Sequence, residues 1–211
     1  MSRHLILAAA LLAGISFYFV PRAPDAVWWI AWKAIGVAFL AAWAAVQARD
    51  ANGWLLVGVL AFGALGDVLL ETSGMAIGGV AFLVGHVIAI ALYLGNGRGS
   101  TGRSITAAVG GACLVSSLAF SFTRDPGVAL YALGLGGMAG SAAASRFTIA
   151  ALGAASFALS DLMIFAALGP LATSTLPGLV IWPTYFAGQV LVAIGVMRGL
   201  QRPAVGTMSL P

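Results

Sequence analysis

The chain has 211 residues, of which 61% are hydrophobic and only 8% charged, against roughly a quarter charged in an ordinary soluble domain. With a mean hydropathy of +1.04, its apolar content exceeds what a water-exposed globule can bury, so the bilayer is the expected solvent for most of it. The net charge of +4 comes from ten Lys/Arg against six acids; the bases are scattered singly, with no basic run, which excludes nucleic acid as a partner.

In chain order, apolar runs of roughly 17–21 residues, the length that crosses about 30 Å of hydrocarbon, fall at 5–20, 27–46, 54–70, 76–94, 105–120, 128–144, 147–168 and 179–197. The expected fold is therefore all-α: a polytopic membrane protein of about eight transmembrane helices. Residues 1–200 form a single transmembrane domain and 201–211 a short cytoplasmic tail. Arg3 before the first run resembles the start of a signal peptide, but Pro21-Arg22-Ala23-Pro24 is a poor cleavage site, and the segment reads as a span. Connections are short, the tightest being Ser145-Arg146. Numbering the faces by alternate loops puts Arg3, Arg49, Arg98, Arg103, Arg146, Arg198 and Arg202 on the side of the N-terminus and only Arg22 and Arg124 opposite. That bias predicts cytoplasmic termini. Cys113 is the sole cysteine and His4 and His86 the sole histidines, so no disulfide framework, metal site or cofactor is expected.

Of the acids, Asp25, Asp50, Glu71 and Asp125 lie in connections or at span ends, which leaves Asp67 and Asp161 inside spans. Each costs about 2.5 to 3.5 kcal/mol on insertion scales and is a candidate functional group for that reason. Their settings are alike: Ala64-Leu65-Gly66-Asp67-Val68-Leu69-Leu70 in span three and Ala158-Leu159-Ser160-Asp161-Leu162-Met163-Ile164 in span seven. Phe82-Leu83-Val84-Gly85-His86-Val87 then matches Tyr185-Phe186-Ala187-Gly188-Gln189-Val190. A separation of four spans predicts two tandem halves, 1–100 and 101–200, running the same way through the membrane. Both aspartates should lie several ångströms below the outer surface, with Lys33 and Tyr185 at a similar level and His86 and Gln189 nearer the midplane. The polar groups are expected to converge on one cavity that opens outward.

Helical spacing enlarges the set. Glu71 is one turn from Asp67; Trp182, Tyr185 and Gln189 share a face, as do His86 and Tyr93. Gly63, Gly66, Ser156 and Ser160 are small residues suited to close helix packing or to lending a hydroxyl. Two carboxyls close together in a low-dielectric site resist double ionisation, so one is expected to hold a proton while the other is charged, stabilised by Lys33. That pairing provides an acid and a base for hydrolysis with water; no G-x-S-x-G elbow or Cys-His pair competes with it.

The ordered blocks G-D-x-x-L at 66–70, F-x-x-G-H at 82–86, S-D-x-x-I at 160–164 and Y-x-x-x-Q at 185–189 resemble the YhhN family, multi-span membrane proteins whose characterised members are lysoplasmalogenases. Lys33 stands where the family has its span-two lysine, followed here by Ala34-Ile35-Gly36 rather than by proline. The resemblance implies hydrolysis of the vinyl ether bond of a lysophospholipid-type substrate. Asp67 and Asp161 would be catalytic, and Lys33, His86, Glu71, Ser160, Trp182, Tyr185 and Gln189 supporting or substrate-binding. Lys33, Trp182 and Tyr185 would meet the head group or position the substrate. A bacterial inner membrane is the expected location. Two other readings use the same aspartates. An intramembrane aspartyl protease would want Gly-x-Gly-Asp where Ala64-Leu65-Gly66-Asp67 stands. A proton-coupled transporter or lipid-binding protein would want broken helices, and neither aspartate-bearing span contains proline.

Overall fold

The computed structural model describes residues 2–201; Arg202 and the expected tail beyond Gln201 lie outside the described residues. Among the described residues, eight helices follow the eight apolar runs: α1 (Arg3–Phe17), α2 (Val27–Ala45), α3 (Ala51–Thr72), α4 (Met75–Leu94), α5 (Thr101–Thr123), α6 (Pro126–Ala144), α7 (Thr148–Ala167) and α8 (Leu176–Gln201). Seven of them, α2 to α8, are long and apolar enough to cross a membrane. The protein is an integral, multi-pass membrane protein of all-α architecture. The first run is shorter than expected: α1 has 15 residues, about 22 Å at 1.5 Å per residue. Pro21 disfavours helical geometry at the residue before it, and Tyr18, Phe19 and Val20 close the helix in a tight turn onto the carbonyls of Ile15, Ser16 and Phe17.

Several helices begin before their apolar runs because polar residues cap them. Asp50 accepts from the Gly53 amide at 2.8 Å, Ser100 from that of Arg103, and Asp125 from those of Gly127 and Val128, with Pro126 in the first turn. Each cap satisfies amides that hydrocarbon would leave unpaired. Two of the acids at span ends are therefore structural caps. The tight link between α6 and α7 is held by the α4–α5 connection: Arg98 donates its amide to Ala144, and Arg146 donates its amide to the Asn96 carbonyl and its guanidinium to the Asn96 side chain.

α3 packs between α2 and α4, α7 against α8, and α5 against α6; α4 reaches across to α6, and α8 to α1, α2 and α3. The outer surface is apolar, with Leu12 and Leu152 about 70% exposed (72% and 67%); in hydrocarbon such exposure carries no penalty, so helix association rests on close packing and interhelical hydrogen bonds. The α7–α8 seam relies on both. A methyl group on Gly153 would stand 2.7 Å from the Gly188 carbonyl oxygen, and one on Gly188 would stand 2.9 Å from that of Gly153. Beside this crossing Ser156 donates to the Thr184 carbonyl at 2.8 Å and Ser160 to the Ile181 carbonyl at 2.9 Å, on either side of Pro183, which lies inside α8.

Gly188→Val is expected to force the two backbones apart and cost about 1–3 kcal/mol or more. Gly178→Ala, with nothing within 4 Å of its new methyl group, serves as the control. Thermal unfolding in detergent should show a clearly lowered midpoint for the first and little change for the second.

Candidate active site

Asp67 lies five residues from the end of α3 and Asp161 six from the end of α7, about 8 and 9 Å of helix from the same end of the bundle. Both are buried, at 2% and 7% exposure, and each is met by a tyrosine. The Tyr185 hydroxyl of α8 donates to Asp67 Oδ2 at 2.7 Å. The Tyr131 hydroxyl of α6 donates to Asp161 Oδ2 at 2.5 Å. A phenol has one proton to give, so each tyrosine oxygen is then free to accept. Gln189 donates its amide to Tyr185 at 3.3 Å. His86 Nε2 stands 3.0 Å from the Tyr131 oxygen; since the Tyr131 proton is committed to Asp161, Nε2 carries the hydrogen of that bond. The result is two parallel relays, Gln189 to Tyr185 to Asp67 and His86 to Tyr131 to Asp161.

Aromatic rings fill the space between the relays. Phe157 lies 5.2 Å from Tyr185 and 5.3 Å from His86, centroid to centroid, and Phe82 lies 6.0 Å from both Phe157 and Tyr185. Glycines make this possible: a methyl group on Gly66 would stand 2.6 Å from the Phe82 ring, and one on Gly63 would stand 2.7 Å from Gln189 Nε2. Their smallness therefore shapes the site as well as the helix contact.

The sequence expectations fare unequally in this geometry. Asp67, Asp161, His86, Tyr185 and Gln189 do converge. Lys33 does not pair with an aspartate: its ammonium contacts Glu71 Oε1 at 2.6 Å, both side chains being largely buried. Glu71, one turn beyond Asp67, intercepts the lysine because it lies nearer the helix end, where a side chain from the first turns of α2 arrives. The Trp182 indole donates to the Gly14 carbonyl at 2.8 Å and stacks on Phe186, so it fastens α1 to α8 with no donor left over. Tyr185 spends its hydroxyl on Asp67, and Ser160 spends its own on the α8 backbone. Both aspartates are buried at the level where an outward cavity is expected. A small cavity of about 20 Å³ lies deeper, lined by Gly63, Phe82, His86, Tyr93, Phe157 and Gln189 among others. The rings and the Lys33–Glu71 pair occupy the level where the opening was expected.

Tyr131 is the residue that sequence reasoning missed. The signal was present: it is one of four tyrosines in the chain, and at five residues into α6 it lies at the depth of Asp161. A tyrosine at that depth needs a hydrogen-bonding partner.

Comparison with known proteins agrees with the motifs. No curated protein and no solved structure matches the chain. The model of the YhhN family matches residues 28–196, which takes in α3 to α7, nearly all of α2 and the part of α8 that carries Tyr185 and Gln189, and the chain belongs to that family.

Proposed function

We propose that the protein is a membrane-embedded lysoplasmalogenase-type hydrolase that cleaves the vinyl ether bond of a lysophospholipid-type substrate, with Asp67 and Asp161 as its acid-base pair. The observation that carries this reading is the pair of buried carboxyls, each held by its own tyrosine inside a chain of the YhhN family. One carboxylic acid delivers its proton to the double-bond carbon that does not carry the ether oxygen, and the electron pair of the double bond forms the new C–H bond. The adjacent carbon becomes an oxocarbenium centre, whose charge the partner carboxylate offsets. Water adds to this centre and loses a proton to that carboxylate. The hemiacetal then collapses to a fatty aldehyde and a glycerophospho-base, the released alkoxide taking up a proton. The tyrosine hydroxyls hold the carboxylates in place throughout, which is what buried acid-base catalysis requires.

A lipid substrate also accounts for the depth of the carboxyls: an alkenyl chain lies among apolar helices while its head group stays at the interface. Lys33 and Glu71 sit toward that interface and offer one charge of each sign to a zwitterionic head group. We take the two relays as the chemical counterpart of the tandem halves, His86 and Gln189 being matched positions in the repeat. The bacterial inner membrane is the location this reading assigns.

The decisive test is turnover of a lysoplasmalogen by purified protein, followed as release of fatty aldehyde. Asp67→Asn and Asp161→Asn should each lower kcat by about 10²–10⁴-fold, the usual worth of a positioned acid or base, while the proteins elute and melt like the parent. Retained turnover in both variants rules out the pair.

Tyr131→Phe and Tyr185→Phe remove one hydrogen bond from a buried carboxyl and should each cost about 1–3 kcal/mol of positioning, or roughly 10- to 100-fold in kcat, with a smaller effect on KM. Steady-state kinetics on the four single variants would show the carboxyl substitutions as the more damaging in both relays.

A further inference from the structure

The cavity beneath the carboxyls is not used by the chemistry above. Its volume of about 20 Å³ exceeds the 10–15 Å³ that one water needs and is far too small for a lipid chain. Its lining is mostly apolar, yet it includes His86 and Gln189, the distal members of both relays, and Tyr93, on the His86 face of α4. Tyr93 is fully buried at 0% exposure and its hydroxyl has no partner in the protein. A buried hydroxyl without a partner forfeits the hydrogen bonds it makes to water in the unfolded chain, and buried water is the usual remedy where several polar groups line a space of this size.

From this geometry we infer that the cavity is a water site, held by Tyr93, His86 and Gln189, which supplies the water consumed in hydrolysis. It rests on the reading given under the proposed function. The lipid substrate would cover the outward approach, which the Lys33–Glu71 pair and the aromatic rings already narrow, so the nucleophile needs a different source. A site touching both relays lies two side chains from each carboxyl along the hydrogen bonds: His86 and Tyr131 stand between it and Asp161, and Gln189 and Tyr185 between it and Asp67. In the step it serves, the water oxygen bonds to the oxocarbenium carbon, one water proton passes to the carboxylate, and the C–O bond to glycerol breaks when the hemiacetal collapses.

Two measurements test the site, one of them without any turnover. Tyr93→Phe removes a hydroxyl that is either hydrated or unpaired. A hydrated one gives no gain in stability on removal, whereas a dry one gives a rise of about 2 °C or more in the thermal midpoint; such a rise overturns the inference.

The second measurement follows the lysoplasmalogen in D₂O with wild type, Tyr93→Phe and Val192→Ile, the last adding one methylene to the cavity wall. Wild type should give aldehyde carrying one deuterium beside the carbonyl, and unreacted substrate should stay unlabelled. With water supply impaired, the oxocarbenium ion lives long enough to rotate about its new C–C single bond, gives up the original hydrogen of the CHD group instead of the deuteron, and reverts to the vinyl ether. Both variants should then release aldehyde at least about fivefold more slowly and wash deuterium into the alkenyl carbon of recovered substrate. Unchanged rates, or slower turnover with unlabelled substrate, overturn the water site while leaving the hydrolase reading intact. A wild type that releases no aldehyde at all strikes that reading instead, and the stability measurement still decides whether the cavity is wet.

Discussion

Two carboxyl groups buried in an apolar bundle constrain the whole structure. Hydrocarbon offers them no water, and an unpaired carboxyl there is costly enough to be selected against unless protein donors replace the solvent. The donors are phenols from other helices, so satisfying the two aspartates fixes which helices must meet. Asp67 on α3 draws Tyr185 of α8, Asp161 on α7 draws Tyr131 of α6, and Tyr131 brings His86 of α4 with it. Three interhelical hydrogen bonds thus join α3 to α8 and α7 through α6 to α4, and the Gln189 amide steadies Tyr185 within α8.

Those bonds are possible only because backbones approach closely elsewhere. Gly153 and Gly188 let α7 and α8 touch, and the Ser156 and Ser160 hydroxyls grip α8 on either side of Pro183. Tyr185 follows two residues after that proline, so the clamp determines where its ring goes. Ser160 thus acts on the site at one remove: it holds the helix that carries the partner of Asp67. The same logic applies to Trp182, which pins α8 to α1 through the Gly14 carbonyl, and to Gly63, which leaves the space occupied by Gln189.

Helix number and the two aspartates were legible because each follows from one strong one-dimensional rule: the thickness of hydrocarbon sets the run length, and scarcity of charge makes a buried acid conspicuous. The i, i+4 pairs were legible for a similar reason, since Tyr185 and Gln189 share one helix face whatever the tertiary fold. Pairings between helices were harder to read. Lys33 and the aspartates share a depth, but depth does not reveal that Glu71 lies in the way. Tyr131 belonged to no repeated motif, and its meaning depends on α6 lying against both α4 and α7, which short connections permit without dictating. The outward cavity was inferred from polar residues alone; in the fold, Phe82 and Phe157, ordinary apolar residues in the sequence, occupy the space between them.

The relays also show what near-symmetry leaves unequal. Both place a nitrogen donor behind a tyrosine behind a carboxyl, and in both the tyrosine proton is committed to the aspartate. An imidazole can take a proton on one nitrogen while releasing one from the other, whereas a carboxamide donates a hydrogen bond and goes no further. The Tyr131–His86 side can therefore pass a proton along its own hydrogen bonds to or from Asp161, and the Tyr185–Gln189 side can only hold Asp67 in place. Lys33 adds to the difference, since its ammonium, paired with Glu71, stands at the Asp67 end. Two buried carboxyls with like tyrosine partners thus come to differ in what stands behind the tyrosine, an imidazole on the Asp161 side and a carboxamide on the Asp67 side.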